Sequence, residues 1–202
     1  MTKQTKPIVT LKTIAGLLGA GLAIASTGWA APTAGKVYQL VARHSGKCLD
    51  VATHSIASGT PLQQWDCSEG LNQKFRAIDA GDGQIYLTAE ESVLRVRVNK
   101  GDRASGAPLI QSNDWNGDGA KLRFVSAGDG AYEIQVASTN KCLDVSAFST
   151  ANGAKVLQWD CTGGANQLWE LREAAALPIS VPGGLVFEKL DAPLANPRFM
   201  DF

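Results

Sequence analysis

Two sets of residues in this 202-residue chain repeat a carboxylate, an indole and an amide at one spacing, and these residue types can bind a ligand rich in hydroxyl groups. In the first set, Asp50 is followed fifteen residues later by Trp65 and twenty-two residues later by Asn72. A carboxylate and an amide can hydrogen-bond the hydroxyl pairs on the edge of a sugar ring, while a flat indole covers its C–H face. The same residue types recur at the same spacing in a second set: Asp144, Trp159 and Asn166.

Longer copied blocks surround these two sets. Lys-Cys-Leu-Asp-Val at residues 47–51 recurs at 141–145, and Trp-Asp-Cys at residues 65–67 recurs at 159–161. The offset is 94 residues in both cases, which is twice 47 and predicts a third copy between the other two. Three copies of one supersecondary unit indicate a fold built by internal symmetry.

The middle copy has lost the site residues. Gly-Ala-Pro-Leu at residues 106–109 corresponds to Gly-Thr-Pro-Leu at 59–62, and Val93-Leu94-Arg95-Val96 is aligned with Cys-Leu-Asp-Val. On this alignment, which also matches Leu-Arg-Phe at 122–124 to Gln-Lys-Phe at 73–75, the second repeat is expected to fill out the fold without a copy of the binding set. The positions of Asp50, Trp65 and Asn72 are then occupied by Arg95, Ser112 and Lys121, and Ile110 stands in place of Gln63.

The first thirty residues have the pattern of a signal peptide. Three lysines precede a short apolar run at residues 14–25, and the small residues Gly28 and Ala30 stand before a cleavage point after residue 30. The apolar run is shorter than the roughly 20 residues needed to span a bilayer, so an uncleaved membrane anchor is the less favoured alternative. The remaining chain carries 16 basic and 19 acidic residues, a net charge of −3 that argues against nucleic-acid or anionic-lipid partners. No later segment is apolar enough for membrane insertion, and a secreted, extracellular or periplasmic product is expected.

The four cysteines form two pairs of identical spacing, Cys48 with Cys67 and Cys142 with Cys161. Three pairings are possible in principle, and the repeat symmetry favours these two local ones. Each disulfide would close a loop of about 20 residues and contribute roughly 3 kcal/mol. Zinc ligation is the alternative, but the close-spaced ligand pairs typical of zinc sites are missing, and no metal is expected.

Strand-like runs separated by turn residues fill residues 36–173. Asp82-Gly83 and Asp129-Gly130 each precede an alternating apolar run, which is a hairpin signal. No stretch of this region has a helical period. We therefore predict an all-β domain of three pseudo-symmetric repeats, closed into a barrel. Residues 174–202 are non-repetitive and broken by proline and glycine, and form either an extension packed over the barrel or a flexible arm.

The motif series resembles the ricin B-type lectin family, whose repeats carry Cys-Leu-Asp-Val, Gln-Trp-Asp-Cys and Asn-Gln-x-Trp blocks. The resemblance covers about residues 36–173 and implies a β-trefoil, a twelve-strand barrel of three repeats with one shallow carbohydrate pocket per repeat. It adds Gln63, thirteen residues after Asp50, to the first pocket, and it places Gln73 behind that pocket as a support. The candidate carbohydrate-binding residues are Asp50, Gln63, Trp65, Asn72, Gln73, Asp144, Trp159, Asn166 and Gln167.

Each candidate also has a purely structural interpretation. The two aspartates could satisfy backbone N–H groups at strand ends, and the two tryptophans could be core aromatics. The third site is expected to be altered in preference, because Leu157 replaces the pocket glutamine and Gln158 could compensate only if the local backbone shifts. The residues expected in the core are Leu49, Val51, Phe75 and Trp169.

Two weaker patterns suggest other chemistry. Residues 114–119, Asp-Trp-Asn-Gly-Asp-Gly, match the first half of a calcium loop, but Val125 stands where the bidentate glutamate is required, so a polar turn is favoured. His44 and His54 lie in polar stretches without a nucleophile at a plausible partner position. No enzyme activity and no cofactor are therefore expected.

These patterns predict a secreted carbohydrate-binding protein, either a lectin or a carbohydrate-binding module. Two sites on one rigid barrel favour a polymeric or clustered glycan as the partner. The first alternative is a targeting or interaction subunit of a secreted toxin or hydrolase complex, which would dock a protein partner through residues 174–202. The second is a protease inhibitor, which would use a protruding loop unrelated to Asp50 and Trp65.

Overall fold

The computed structural model describes residues 32–115, 117 and 119–175. The predicted signal peptide and the predicted extension beyond Ala175 lie outside the described residues. Across the described ranges, no helix is long and apolar enough to cross a membrane. The twelve strands are β1 (Val37–Ala42), β2 (Cys48–Val51), β3 (Leu62–Trp65), β4 (Phe75–Gly81), β5 (Gln84–Ala89), β6 (Arg95–Val98), β7 (Leu109–Ser112), β8 (Leu122–Gly128), β9 (Ala131–Val136), β10 (Lys141–Val145), β11 (Val156–Trp159) and β12 (Leu168–Ala174). Single-turn 3-10 helices span Ala52–His54, Leu71–Gln73, Asn99–Gly101, Ser146–Phe148 and Ala165–Gln167.

Six of these strands close a barrel. The antiparallel ring runs β1, β4, β5, β8, β9, β12 and back to β1, so these strands have no free sheet edge. The other six strands form three hairpins, β2–β3, β6–β7 and β10–β11. The hairpins meet through single bridges between Pro61 and Ile110 and between Pro108 and Leu157. Four strands per repeat in this arrangement make a β-trefoil, and the predicted fold is confirmed.

Two-residue turns join successive repeats. Asp82 and Gly83 connect β4 to β5 with φ of 53° and 70°, and Asp129 and Gly130 connect β8 to β9 with φ of 47° and 77°. Positive φ at both central residues gives a turn whose twist matches that of the flanking strands, and Asp-Gly tolerates it well. The predicted hairpins are therefore confirmed.

The core fills the barrel with apolar side chains from all three repeats. The four predicted core residues are at most 1% exposed: Leu49, Val51, Phe75 and Trp169. Burying each such side chain stabilises the fold by about 1.5–3 kcal/mol. The Trp169 indole keeps a hydrogen bond inside the core, because its Nε1 donates to the Leu143 carbonyl at 3.1 Å.

Candidate functional site

Side-chain amides from three residues hold the carboxylate of Asp50, which is 3% exposed in β2. Gln63 lies opposite Asp50 in the β2–β3 hairpin, and its Nε2 donates to Oδ1 at 2.9 Å. Asn72 Nδ2 donates to Oδ2 at 2.7 Å, and Gln73 Nε2 donates to the same oxygen at 2.9 Å. The structure thus brings four predicted site residues together, and Asp50 binds amide side chains instead of the backbone N–H groups of a turn.

Gln73 supports this arrangement from inside the fold. It is 1% exposed, its Nε2 also donates to the Asp66 carbonyl at 3.0 Å, and its Oε1 accepts from the Ser68 N–H at 2.8 Å. Asn72 is also buried, yet within the described part of the chain its Oδ1 has no hydrogen-bond partner. Gln73 therefore holds the Asp50 carboxylate from inside the fold, whereas Asn72 keeps one buried acceptor without a partner among the described residues.

Trp65 lines an open cleft of about 560 Å³ together with Asp50 and His54. Its side chain is among the exposed large hydrophobic groups, with 44% of the residue exposed, so the core-aromatic interpretation is wrong. The disulfide between Cys48 and Cys67 joins β2 to the chain just after β3. The strand that carries the carboxylate and the strand that carries the indole are therefore linked covalently, and the predicted pairing is confirmed.

The third repeat builds a related cleft of about 400 Å³ around Asp144 in β10. Asn166 Nδ2 and Gln167 Nε2 both donate to Asp144 Oδ2, each at 2.9 Å. Trp159 is 43% exposed and lines this cleft. Leu157 lies opposite Asp144 in the β10–β11 register, where the first repeat has Gln63. The second predicted disulfide, Cys142–Cys161, is also present.

Gln158 does not replace the missing pocket glutamine. It is fully buried, and its Nε2 donates to the carbonyls of Asp102 at 2.7 Å and Ala104 at 3.0 Å. Gln64 makes the corresponding two bonds to the loop at residues 149–151. Each of these glutamines binds a loop of a neighbouring repeat, so Gln158 does not make the compensation that only a backbone shift would have allowed.

A rim position of both clefts was not found from the sequence. His54 and Phe148 stand 94 residues apart at the end of equivalent 3-10 turns, with φ of 52° and 55°. His54 Nδ1 lies 3.4 Å from Glu91 Oε1, whereas the Phe148 ring packs edge-on against His44 with ring centroids 5.1 Å apart. A side chain from another repeat therefore supports each rim residue. The 94-residue repeat offset is a sequence signal that would have identified His54 and Phe148 as equivalent positions.

Asp144 has a shifted protonation equilibrium. Burial raises the pKa of its carboxyl above the ordinary aspartate value, and the hydrogen bonds from Gln167 and Asn166, followed by the charge interaction with His44, oppose the rise. Its capacity to accept hydrogen bonds is therefore sensitive to acid.

The register of the second repeat differs from the predicted alignment. Arg97 lies opposite Ile110, as Asp50 lies opposite Gln63, so Arg97 and not Arg95 takes the aspartate position. A shift of two residues keeps the same side chains on the same face of a strand, which is why the alternating pattern did not exclude the wrong register. Asn72 lies three residues before the start of β4 at Phe75, whereas Lys121 lies directly before the start of β8 at Leu122. Lys121 therefore does not stand at the asparagine position either.

Arg97 is 4% exposed and forms an ion pair with Asp114. The backbone of Gly117 packs against this pair so closely that a Cβ atom would overlap it. The second repeat therefore holds a guanidinium where the other two hold a carboxylate, and this pairing of Asp114 disfavours the calcium-loop interpretation.

A metal site is not supported by the side chains that the structure describes. Among them, the one group close enough to share an ion is Glu133 with Cys142 and Cys161, and both cysteines are in a disulfide.

Comparisons with known proteins agree with this geometry. The family model of the ricin-type β-trefoil lectin domain matches residues 36–169. ThreeFoil, a designed threefold-symmetric protein, is 41% identical with a TM-score of 0.66, over 67% of this chain and 96% of that chain. An exo-β-1,3-galactanase from Clostridium thermocellum is 30% identical with a TM-score of 0.68, over 71% of this chain and 31% of that chain. A ricin B-like lectin from Macrolepiota procera in complex with lactose shares the fold at 23% identity and a TM-score of 0.61, over 70% of this chain and 98% of that chain. The chain therefore belongs to the ricin-type β-trefoil lectin family.

Proposed function

We propose that this protein is a secreted carbohydrate-binding protein that binds glycans in the clefts of its first and third repeats. The proposal depends on one observation, the repeated assembly of a fixed carboxylate, an asparagine amide and a half-exposed tryptophan. In the first cleft these are Asp50, Asn72 and Trp65, and no catalytic role is assigned to them.

The chemistry of the first cleft fits a sugar. Each oxygen of an ionised carboxylate can accept more than one hydrogen bond, so Asp50 can take ligand hydroxyls besides its three amides. Asn72 lines the same cleft and fixes the carboxylate, because its Nδ2 donates to Asp50 Oδ2 at 2.7 Å. The exposed indole of Trp65 offers a flat surface for ring C–H groups. Because the amides and the disulfide hold these groups in place, ligand binding orders little of the protein.

A polymeric or clustered glycan is the proposed partner. Shallow single-sugar sites often bind near the millimolar range, which is about −4 kcal/mol. Two clefts on one rigid barrel can engage neighbouring residues of one glycan and gain avidity without new contacts. The two disulfides are those of a protein folded in an oxidising compartment, which supports export. The lactose complex of the Macrolepiota lectin supports sugar binding by this fold, not a particular sugar.

Glycan-array binding of the oxidised protein, beginning at residue 31, tests the proposal. Asp50→Ala and Asp144→Ala should each remove part of the binding, and the double variant should remove it all. Asp129→Asn is the matched control, because it removes the charge of an exposed turn aspartate outside both clefts. Absence of binding by the wild type, or unchanged binding by the double variant, would reject the proposal.

A second candidate is that the trefoil targets a larger secreted assembly. The galactanase match covers 31% of that chain, so in that protein the similar region is part of a larger enzyme. Deletion of residues 176–202, beyond the end of β12, tests for a docking segment. Loss of a captured protein partner with retained glycan binding supports this role, and capture that survives the deletion excludes it for that segment.

A further inference from the structure

The two clefts share their hydrogen-bonding base and differ around the rim. Three equivalent positions, each 94 residues apart, change from a polar to an apolar side chain between the first cleft and the third. The pairs are Thr53 and Ala147, His54 and Phe148, and Gln63 and Leu157. All six residues line their clefts, so the difference bears directly on the ligand.

The exchange of Gln63 for Leu157 changes the wall beside the carboxylate. Gln63 donates to Asp50 Oδ1 at 2.9 Å and presents an amide to the cleft. Leu157 cannot donate a hydrogen bond. Both hydrogen bonds that Asp144 accepts from side-chain amides, those of Asn166 and Gln167, go to its Oδ2. The third cleft therefore joins its aspartate directly to an apolar surface.

The exchange of His54 for Phe148 makes a second rim position apolar. His54 Nδ1 lies 3.4 Å from Glu91 Oε1, so this part of the first rim is polar. Phe148 is 54% exposed and is held by the edge of the His44 ring. Each rim residue is thus backed by a side chain from another repeat, a carboxylate for His54 and the edge of an imidazole ring for Phe148.

We infer that the third cleft selects a glycan residue that carries a methyl group, as in a 6-deoxyhexose or an acetamido sugar, whereas the first cleft takes a fully hydroxylated residue. The inference rests on the proposed function. A methyl group against Phe148 and Leu157 leaves water for apolar surface, but a hydroxyl group there loses its hydrogen bonds to water without gaining a partner. The expected preference for the methylated residue is about tenfold.

Single-cleft proteins test the inference. Trp65→Ala removes the indole of the first cleft, so that only the third cleft is intact, and Trp159→Ala does the reverse. Both indoles are exposed enough for the fold to tolerate the change. Affinities are measured for sugar pairs that differ at one substituent: L-fucose with L-galactose, N-acetylglucosamine with glucose, and N-acetylgalactosamine with galactose. The Trp65→Ala protein should prefer the methyl-bearing member of at least one pair, and the pairs separate a deoxy methyl group from an acetamido methyl group.

Exchange of the rims provides the matched control. Phe148→His with Leu157→Gln, in the Trp65→Ala protein, should abolish the preference, and His54→Phe with Gln63→Leu, in the Trp159→Ala protein, should create it. Equal or tighter binding of the hydroxylated members by the third cleft overturns the inference, as does a preference that survives the exchange. Binding by the first cleft alone also overturns it and restricts the proposed sugar binding to the first cleft, whereas absence of sugar binding in both single-cleft proteins and the wild type rejects the proposed function itself.

Discussion

Gly106 lies against the indole of Trp159, so closely that a Cβ atom at residue 106 would come within 3.2 Å of ring atom Cζ3. The contact crosses from the second repeat to the third. Two backbone hydrogen bonds join the same segments. The Gly106 N–H donates to the Gln158 carbonyl at 2.8 Å, and the Gln158 N–H donates to the Ala107 carbonyl at 2.9 Å. The second repeat therefore positions the platform of the third cleft, although it has no carboxylate cleft itself.

Gly106→Ala is expected to weaken the third cleft selectively. The residue has φ of +92°, which costs an alanine about 1 kcal/mol or more, and the added Cβ would push on the Trp159 ring. Affinity at the third cleft should fall roughly two- to tenfold, the equivalent of an aromatic contact worth about 0.5–1.5 kcal/mol. Gly59→Ala is the control, because Gly59 has the same φ and nothing within 4 Å of its Cβ position. Equal third-cleft affinity in the two variants, measured in the Trp65→Ala protein, would contradict the positioning role.

Acidification is expected to remove binding at the third cleft before it unfolds the protein. Because burial raises the pKa of Asp144, its carboxylate becomes a neutral carboxyl at a higher pH than an ordinary aspartate, near 3.9, and accepts ligand hydroxyls less well. Protonation of Asp144 should weaken sugar binding but not the fold. A group whose pKa is raised in the folded state binds its proton more tightly there than in the unfolded chain, so its protonation stabilises the folded state.

Titration of the Trp65→Ala protein from neutral pH towards about 3.9 checks this expectation, with circular dichroism recorded in parallel. Sugar affinity should fall while the spectrum stays constant. Asp144→Asn in the same protein should lack the step. A pH-independent affinity down to the ordinary aspartate value would show that the Asp144 carboxylate is not the acceptor.

Each disulfide is expected to stabilise the cleft of its own repeat. Cys48 and Cys67 are 19 residues apart, and removal of such a loop closure costs about 3 kcal/mol of stability. Changing both to alanine should also lower affinity at the first cleft, because only backbone hydrogen bonds then join β2 to β3, and should leave the third cleft unchanged. The same change at Cys142 and Cys161 should reverse the pattern. Denaturant unfolding and single-cleft affinities measure both effects, and equal losses at the two clefts would contradict a local role.

The repeat offset predicts which residues meet at the base of each cleft but not what surrounds them. The contact between Asp50 and Asn72 could be predicted from their copied spacing, because copied residues take equivalent places in a symmetric fold. The register of Arg97 escaped prediction because a two-residue slip preserves the in-and-out pattern of a strand. The residues at the rim of each cleft were not predicted for a different reason. The support of His54 by Glu91 depends on the packing of one repeat against the next, which leaves no local signal in the sequence.

Gln158 and its neighbour Leu157 are expected to differ sharply in their effect on stability. Gln158 is fully buried, accepts a hydrogen bond from Thr139 Oγ1 at 2.9 Å and donates two to backbone carbonyls. Gln158→Ala leaves these groups without a partner, at about 1–3 kcal/mol for each buried group. Leu157 is half-buried at the cleft, and Leu157→Ala should cost much less. Chemical denaturation of the two variants measures the difference.

The equivalent glutamine of the second repeat separates stability from binding. Gln111 is fully buried, donates to the carbonyls of Ser55 at 2.7 Å and Ala57 at 2.9 Å, and accepts from Ser92 Oγ at 2.7 Å. Gln111→Ala should therefore destabilise the fold about as much as Gln158→Ala but leave third-cleft affinity unchanged. Gln158→Ala should also weaken the third cleft, because the loop that it fastens carries Gly106 to the Trp159 ring. If the two variants lost third-cleft affinity equally, the effect would be one of general stability, and the contact between repeats would not position the indole.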